Sequence, residues 1–106
     1  MKRPVLWSDA ARADYLAIIR YVAQDNPDAA LRIADRLNEI AGGLGDMATG
    51  RPGRVFGTYE KVAPGLPYIL AYEIALGADR SEVVAILHVI HGARDWPADA
   101  WPAGLK

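Results

Sequence analysis

The spacing of apolar residues changes character twice along the chain. Ala11, Tyr15, Ile18, Ile19 and Val22 recur at i, i+4, i+7, i+8 and i+11, which places them on one stripe of a 3.6-residue helix. Ile33, Leu37, Ile40, Ala41 and Leu44 repeat that stripe on a second helix. From Tyr68 the period falls to two: Tyr68, Leu70, Tyr72, Ile74 and Leu76 share one face of a strand, with Ile69, Ala71, Glu73 and Ala75 on the other. The segment from Glu82 is apolar on both faces until His88, the pattern of a strand lying centrally in a sheet.

Punctuation between these segments sets the element order. Pro4 to Trp7 is short and apolar, predicts a strand, and ends at Ser8-Asp9, whose oxygens can accept from the free N–H groups of a helix start. The first helix is predicted to end near Gln24. Asn26-Pro27 restarts the chain, with an Asn cap and a proline at the first helical position, where its missing N–H does no harm. Asp28 and Arg32 stand at i, i+4 on an exposed side, and Gly42-Gly43-Leu44-Gly45 is predicted to weaken and stop the second helix. Residues 46–53 are turn-rich, and Arg54 to Val62 is predicted to be extended. Ala63 to Pro67 makes a turn, and Gly77 to Ser81 breaks the last two strands into a hairpin. Gly92 ends the final strand, and the tail repeats a Trp-Pro pair, Trp96-Pro97 and Trp101-Pro102. The resulting expectation is one α+β domain over residues 1–106. A short N-terminal strand and a two-helix antiparallel hairpin pack on a small antiparallel sheet with a C-terminal three-stranded meander.

Composition narrows the chemistry. With 106 residues there is enough chain for one core. Cysteine is absent, so no disulfide, thiolate metal site or thiol nucleophile is available, a composition that suits the reducing cytoplasm. Two histidines without carboxylates at ligand spacing predict no metal site. No apolar run suits a signal peptide or a membrane span, so a protein that is not exported is expected. A formal net charge of -1 excludes the strongly basic class of autonomous nucleic-acid binders. Charge is nonetheless uneven: Ala48 to Val62 holds Arg51, Arg54 and Lys61 against Glu60 alone, a local basic strip.

Three stretches in this order, Gly50-Arg51-Pro52-Gly53-Arg54, Val62 to Tyr68 and Ile86 to Pro97, resemble the RelE/ParE superfamily of type II toxin-antitoxin toxins. With the helix pattern, the resemblance spans nearly the whole chain and is closer to the ParE branch than to RelE. It implies a toxin that inhibits DNA gyrase and is neutralised by a ParD-like antitoxin with a ribbon-helix-helix N-terminus. Operator DNA is then contacted only through the antitoxin, and neither a cofactor nor a membrane is implied. The alternatives are a RelE-like ribosome-dependent mRNA endoribonuclease and an inactive paralogue that only binds antitoxin.

Two physical arguments favour the gyrase branch. A ribosome-dependent nuclease gains from a large positive field, which this chain lacks. RNA cleavage by 2'-OH attack also needs a base, an acid and cations, for which Arg54, Lys61, His88, His91 and Arg94 are the candidates. Lys61 is the only lysine between Arg3 and Lys106, and the odd separation of His88 and His91 sends them to opposite sheet faces. Target-binding candidates are Arg51, Arg54, His91, Arg94 and Trp96. Trp101, hard to bury so near the end, is the candidate antitoxin contact. Tyr68 and Tyr72 are expected to pack against helices, and grooves at the edges of the helix hairpin are expected to receive an antitoxin segment.

Overall fold

The computed structural model describes residues 2–92. Seven elements follow in order: β1 (Val5–Trp7), α1 (Asp9–Asp25), α2 (Pro27–Asp46), β2 (Arg51–Pro52), β3 (Tyr59–Val62), β4 (Tyr68–Leu76) and β5 (Glu82–His91). The strands form one sheet in the order β1-β5-β4-β3-β2. Every neighbouring pair is antiparallel except β1 and β5, which run parallel, so the sheet is mixed where the sequence predicted an antiparallel one. No helix is long and apolar enough to cross a membrane.

Both helix starts are set by side chains read from the sequence. Ser8 Oγ accepts from the Ala11 N–H at 3.0 Å, and Asn26 Oδ1 accepts from the Ala29 N–H at 3.0 Å. The end of α2 departs from expectation, because the helix runs through its glycines to Asp46. Gly42 and Gly43 have open space around them, whereas a Cβ at Gly45 would lie 2.4 Å from the Arg3 carbonyl oxygen. Gly45 is thus a point of close approach. Its own carbonyl accepts from the Arg3 N–H at 2.8 Å, tying the helix end to the chain entering β1.

Both helices pack on one face of the sheet. Ala11 of α1 and Leu37, Ala41 and Leu44 of α2 meet Tyr68, Leu70, Tyr72, Val84, Ile86 and Val89 in one cluster. That set is the even-numbered face of β4 with its cross-strand partners. Each buried Leu, Ile or Val side chain there contributes about 1.5–3 kcal/mol through loss of hydrated surface. Tyr72, only 1% exposed, donates its hydroxyl to the Thr49 carbonyl at 2.6 Å, so its polar end is satisfied.

The β4–β5 ladder carries a bulge. Ala71 pairs with His88 and Tyr72 with Ile86, which leaves Leu87 as an additional residue on β5. Along the other side of β5, β1 reaches only as far as Ile86. Beyond it the start of α1 takes over. The Ser8 N–H donates to the Ile86 carbonyl at 2.9 Å, Ser8 Oγ donates to the Leu87 carbonyl at 3.0 Å, and Asp14 Oδ2 accepts from the Val89 N–H at 3.0 Å. The N-cap Ser8 and the Asp14 side chain thereby satisfy backbone groups that a longer β1 would have paired.

The region after α2 also differs from the reading of Arg54 to Val62 as continuously extended. A two-residue strand at Arg51–Pro52 and a loop over residues 53–58 precede β3. Gly53 N–H to Thr58 C=O, at 2.8 Å, and Thr58 N–H to Val55 C=O, at 3.1 Å, bend the chain inside the predicted strand.

Candidate functional site

The basic strip folds around its one acid. β2 pairs with β3 so that Arg51 stands opposite Glu60. Glu60 is 3% exposed. Its Oε2 accepts from Arg54 Nε at 2.9 Å and from the Arg54 backbone N–H at 3.0 Å, while Oε1 accepts from Arg54 Nη2 and Arg51 Nη2, both at 3.3 Å. Burial pushes the carboxyl pKa up, but the Arg54 hydrogen bonds and charge, with Arg51 adding, outweigh that and hold it below the ordinary glutamate value. The Arg54 side chain is 21% exposed and that of Arg51 59%, so Arg51 is the guanidinium most open to solvent.

Lys61 lies on the other face of β3 from Glu60 and donates Nζ to Thr49 Oγ1 at 2.8 Å. Tyr59, on the Lys61 face, stacks on Tyr72 with ring centroids 5.5 Å apart. Tyr68 and Tyr72 are both buried beneath the helices, which is packing rather than an exposed stacking platform.

The histidines stand at the opposite side of the sheet. β5 is three strand positions from β2, about 14 Å at the usual spacing of about 4.8 Å. His88 is 4% exposed, with Nδ1 2.8 Å from Asp14 Oδ2. A carboxylate only accepts, so this geometry puts the Nδ1 proton between the two groups and makes the pair a clamp between α1 and β5. His91 is exposed, pairs opposite Tyr68 and meets that ring edge-on at 5.6 Å. Its side chain borders an apolar groove of about 460 Å³ between α1 and the ends of β4 and β5, with Ile18, Tyr21 and Tyr68 in its walls.

The structure thus separates the sequence candidates. Arg51 and Arg54 gather on the β2–β3 edge, Lys61 faces the other side of β3, and His88 and His91 belong to β5. Arg94, Trp96 and Trp101 lie outside the described residues. Among the described residues, no group of three His, Cys, Asp or Glu is placed to hold a metal ion.

Two residues in this geometry were not singled out by sequence reasoning. Glu60 was visible only as a lone acid among three cations. Asp14 was visible as a carboxylate inside an apolar stripe, three residues after Ala11 and four before Ile18.

Residues 5–96 match the family described as the ParE toxin of type II toxin-antitoxin system, parDE. The chain belongs to the ParE toxin family. It is also 35% identical over 97 residues to a protein of Sinorhizobium fredii (strain NBRC 101917 / NGR234) named "Putative toxin Y4kP", covering 91% of this chain and 95% of that protein. In fold it resembles a solved structure titled "Chromosomal ParDE TA system from P. aeruginosa", with a TM-score of 0.75 at 21% identity over 85% of this chain and 96% of that one. The α+β arrangement read from the sequence is thus that of a ParE-family toxin, and the two-residue β2 and the parallel β1 are its details here.

Proposed function

We propose that this ParE-family toxin acts by binding DNA gyrase without making or breaking bonds itself. A ParD-like antitoxin neutralises it and supplies the operator contact through a ribbon-helix-helix N-terminus. The observation that carries the reading is the engagement of Arg51 and Arg54 by Glu60. Cleavage of RNA would ask those cations to meet charge developing on phosphate, in reach of an acid and a base. Among the described residues the nearest imidazoles are on β5, and His88 is held by Asp14. The solvent-facing parts of the site suit recognition: Arg51, 59% exposed, at one edge of the sheet, and the exposed His91 beside an apolar groove at the other. That groove, walled by Ile18, Tyr68 and the exposed Tyr21, has the apolar character that suits an apolar antitoxin segment.

Expression of the toxin without antitoxin tests the reading, scored for an SOS response with gyrase-dependent DNA breaks and for mRNA cleavage. Breaks without cleavage are expected. Rapid codon-dependent mRNA cleavage would overturn the proposal in favour of the nuclease, and growth without any defect would leave only the antitoxin-binding paralogue.

A further inference from the structure

The loop joining β2 to β3 is braced from within, yet it carries a large apolar side chain wholly into water. Phe56 is 103% exposed. Around it, Gly53 N–H donates to the Thr58 carbonyl at 2.8 Å, and Thr58 Oγ1 donates to the Val55 carbonyl at 2.6 Å. Thr58 itself is buried, and a Cβ at Gly53 would lie 2.4 Å from Thr58 Oγ1, so the base of the loop is closed tightly. The Arg54 N–H is held by the buried Glu60. A stray exposed side chain needs no explanation, but a Phe at the tip of a loop fastened by a buried carboxylate is a different object. The brace fixes the backbone that carries the ring and gives the ring nothing to pack on.

We propose that Phe56 is the tip of a rigid docking finger that enters an apolar socket on a folded protein, with carboxylates at the rim of that socket meeting Arg51. This deepens the gyrase reading and rests on it, because the folded partner is then gyrase. A knob is buried only by a concavity. An antitoxin segment that orders on binding supplies a helix or strand that fills grooves, whereas a folded surface supplies preformed sockets. Preformed finger and preformed socket also lose little conformational entropy on association. The charge pattern fits the same partner. Arg51, on the strand that leads into the loop, offers a half-open guanidinium, and aromatic residues and arginine are enriched at protein interfaces. Nucleic acid fits less well, because binding there draws on several phosphate contacts, while the strip nets two positive charges after Glu60 and its Arg54 side chain is mostly buried.

The test uses full-length toxin carrying Phe56→Ser or Phe56→Trp, alone and with its antitoxin. A side chain that touches nothing leaves the melting temperature within about 3 °C of wild type, so loss of fold does not confuse the result. Phe56→Ser is expected to raise the toxin concentration needed to inhibit gyrase supercoiling by about tenfold or more and to relieve growth arrest, with antitoxin affinity unchanged. Phe56→Trp, which keeps a large apolar ring, is expected to retain most of the activity. Undiminished toxicity of Phe56→Ser overturns the finger. A matching loss of antitoxin affinity overturns it in favour of an antitoxin contact, and a matching loss of binding to a bare DNA duplex overturns it in favour of a nucleic-acid contact. If wild type leaves gyrase untouched but Phe56→Ser still relieves growth arrest, the gyrase reading fails and the finger stands with another folded target. A wild-type chain without effect on growth overturns both.

Discussion

Replacing Glu60 tests whether the β2–β3 edge is built around one buried carboxylate. In Glu60→Ala the Arg54 guanidinium and the Arg54 N–H lose their shared acceptor, and Arg51 loses a longer contact. Hydrogen bonds to charged groups are worth about 1.5–3 kcal/mol each, and breaking a fully buried pair costs about 3–5 kcal/mol. Here the guanidinium left behind is not sealed from water, with the Arg54 side chain 21% exposed and that of Arg51 59%, so rehydration recovers part of the loss. The expected cost is near the bottom of the buried range, about 3 kcal/mol. At about 4–6 °C per kcal/mol for a domain of this size, melting falls by about 12–18 °C. Glu60→Gln keeps shape and an acceptor but not the charge, and should lose about half as much.

The pH dependence of the same pair supplies the decisive assay, read by urea unfolding of wild type and Glu60→Gln. The folded carboxyl pKa lies below its ordinary value of 4.5, so its contribution is complete above that pH and disappears as pH falls through the lower folded value. The two proteins should therefore differ at pH 7 and converge as acid protonates the native carboxyl. Equal midpoints at pH 7, or a gap that widens as the pH falls below 4.5, would refute the account of Glu60 as an ionised organiser of this edge.

Three further substitutions probe the scaffold. Asp14→Ala removes the acceptor for the His88 ring and the Val89 N–H, and should cost about 2 kcal/mol in urea unfolding while slowing nothing local to β3. Gly45→Ala drives a Cβ against the Arg3 carbonyl and should destabilise by about 2 kcal/mol or more, whereas Gly43→Ala, in open space within α2, should stabilise by about 0.5–1 kcal/mol; a differential-scanning comparison of the two reads the sign directly. Tyr72→Phe leaves the Thr49 carbonyl without its 2.6 Å donor and should lower stability by about 1 kcal/mol, with the native near-ultraviolet dichroism otherwise kept.

What the sequence made legible was whatever depends on neighbours within a few residues. The helix stripes, the Ser8 and Asn26 caps and the even-numbered face of β4 turned to the helices are local patterns with local causes, and each appears in the structure, although Ile69 and Ala71 on the other face of β4 are buried too. The end of α2 was misread because the role of Gly45 is set by Arg3, 42 positions earlier, and not by helix propensity. The strand at Arg54 was overextended for a related reason: Glu60 counts in sequence as one negative charge, and only the β2–β3 register shows that it seizes the Arg54 backbone. The bulge at Leu87 and the Asp14 clamp depend on β1 stopping at Ile86, a length mismatch between segments at opposite ends of the chain. At the candidate site, the sequence shows three cations around one acid but has no means of showing which of them that acid engages.

The parallel pairing of β1 with β5 joins Val5 to Val84, so the sheet cannot close until nearly the whole described chain has been synthesised. Helix pairing needs only contacts close in sequence and can form early, whereas β1 must wait for a partner 79 residues downstream, the kind of long-range closure that slows folding. On a nascent chain this order of events leaves the helix hairpin without its full floor for most of synthesis, and β1 stays an unpaired strand until β5 has emerged from the ribosome.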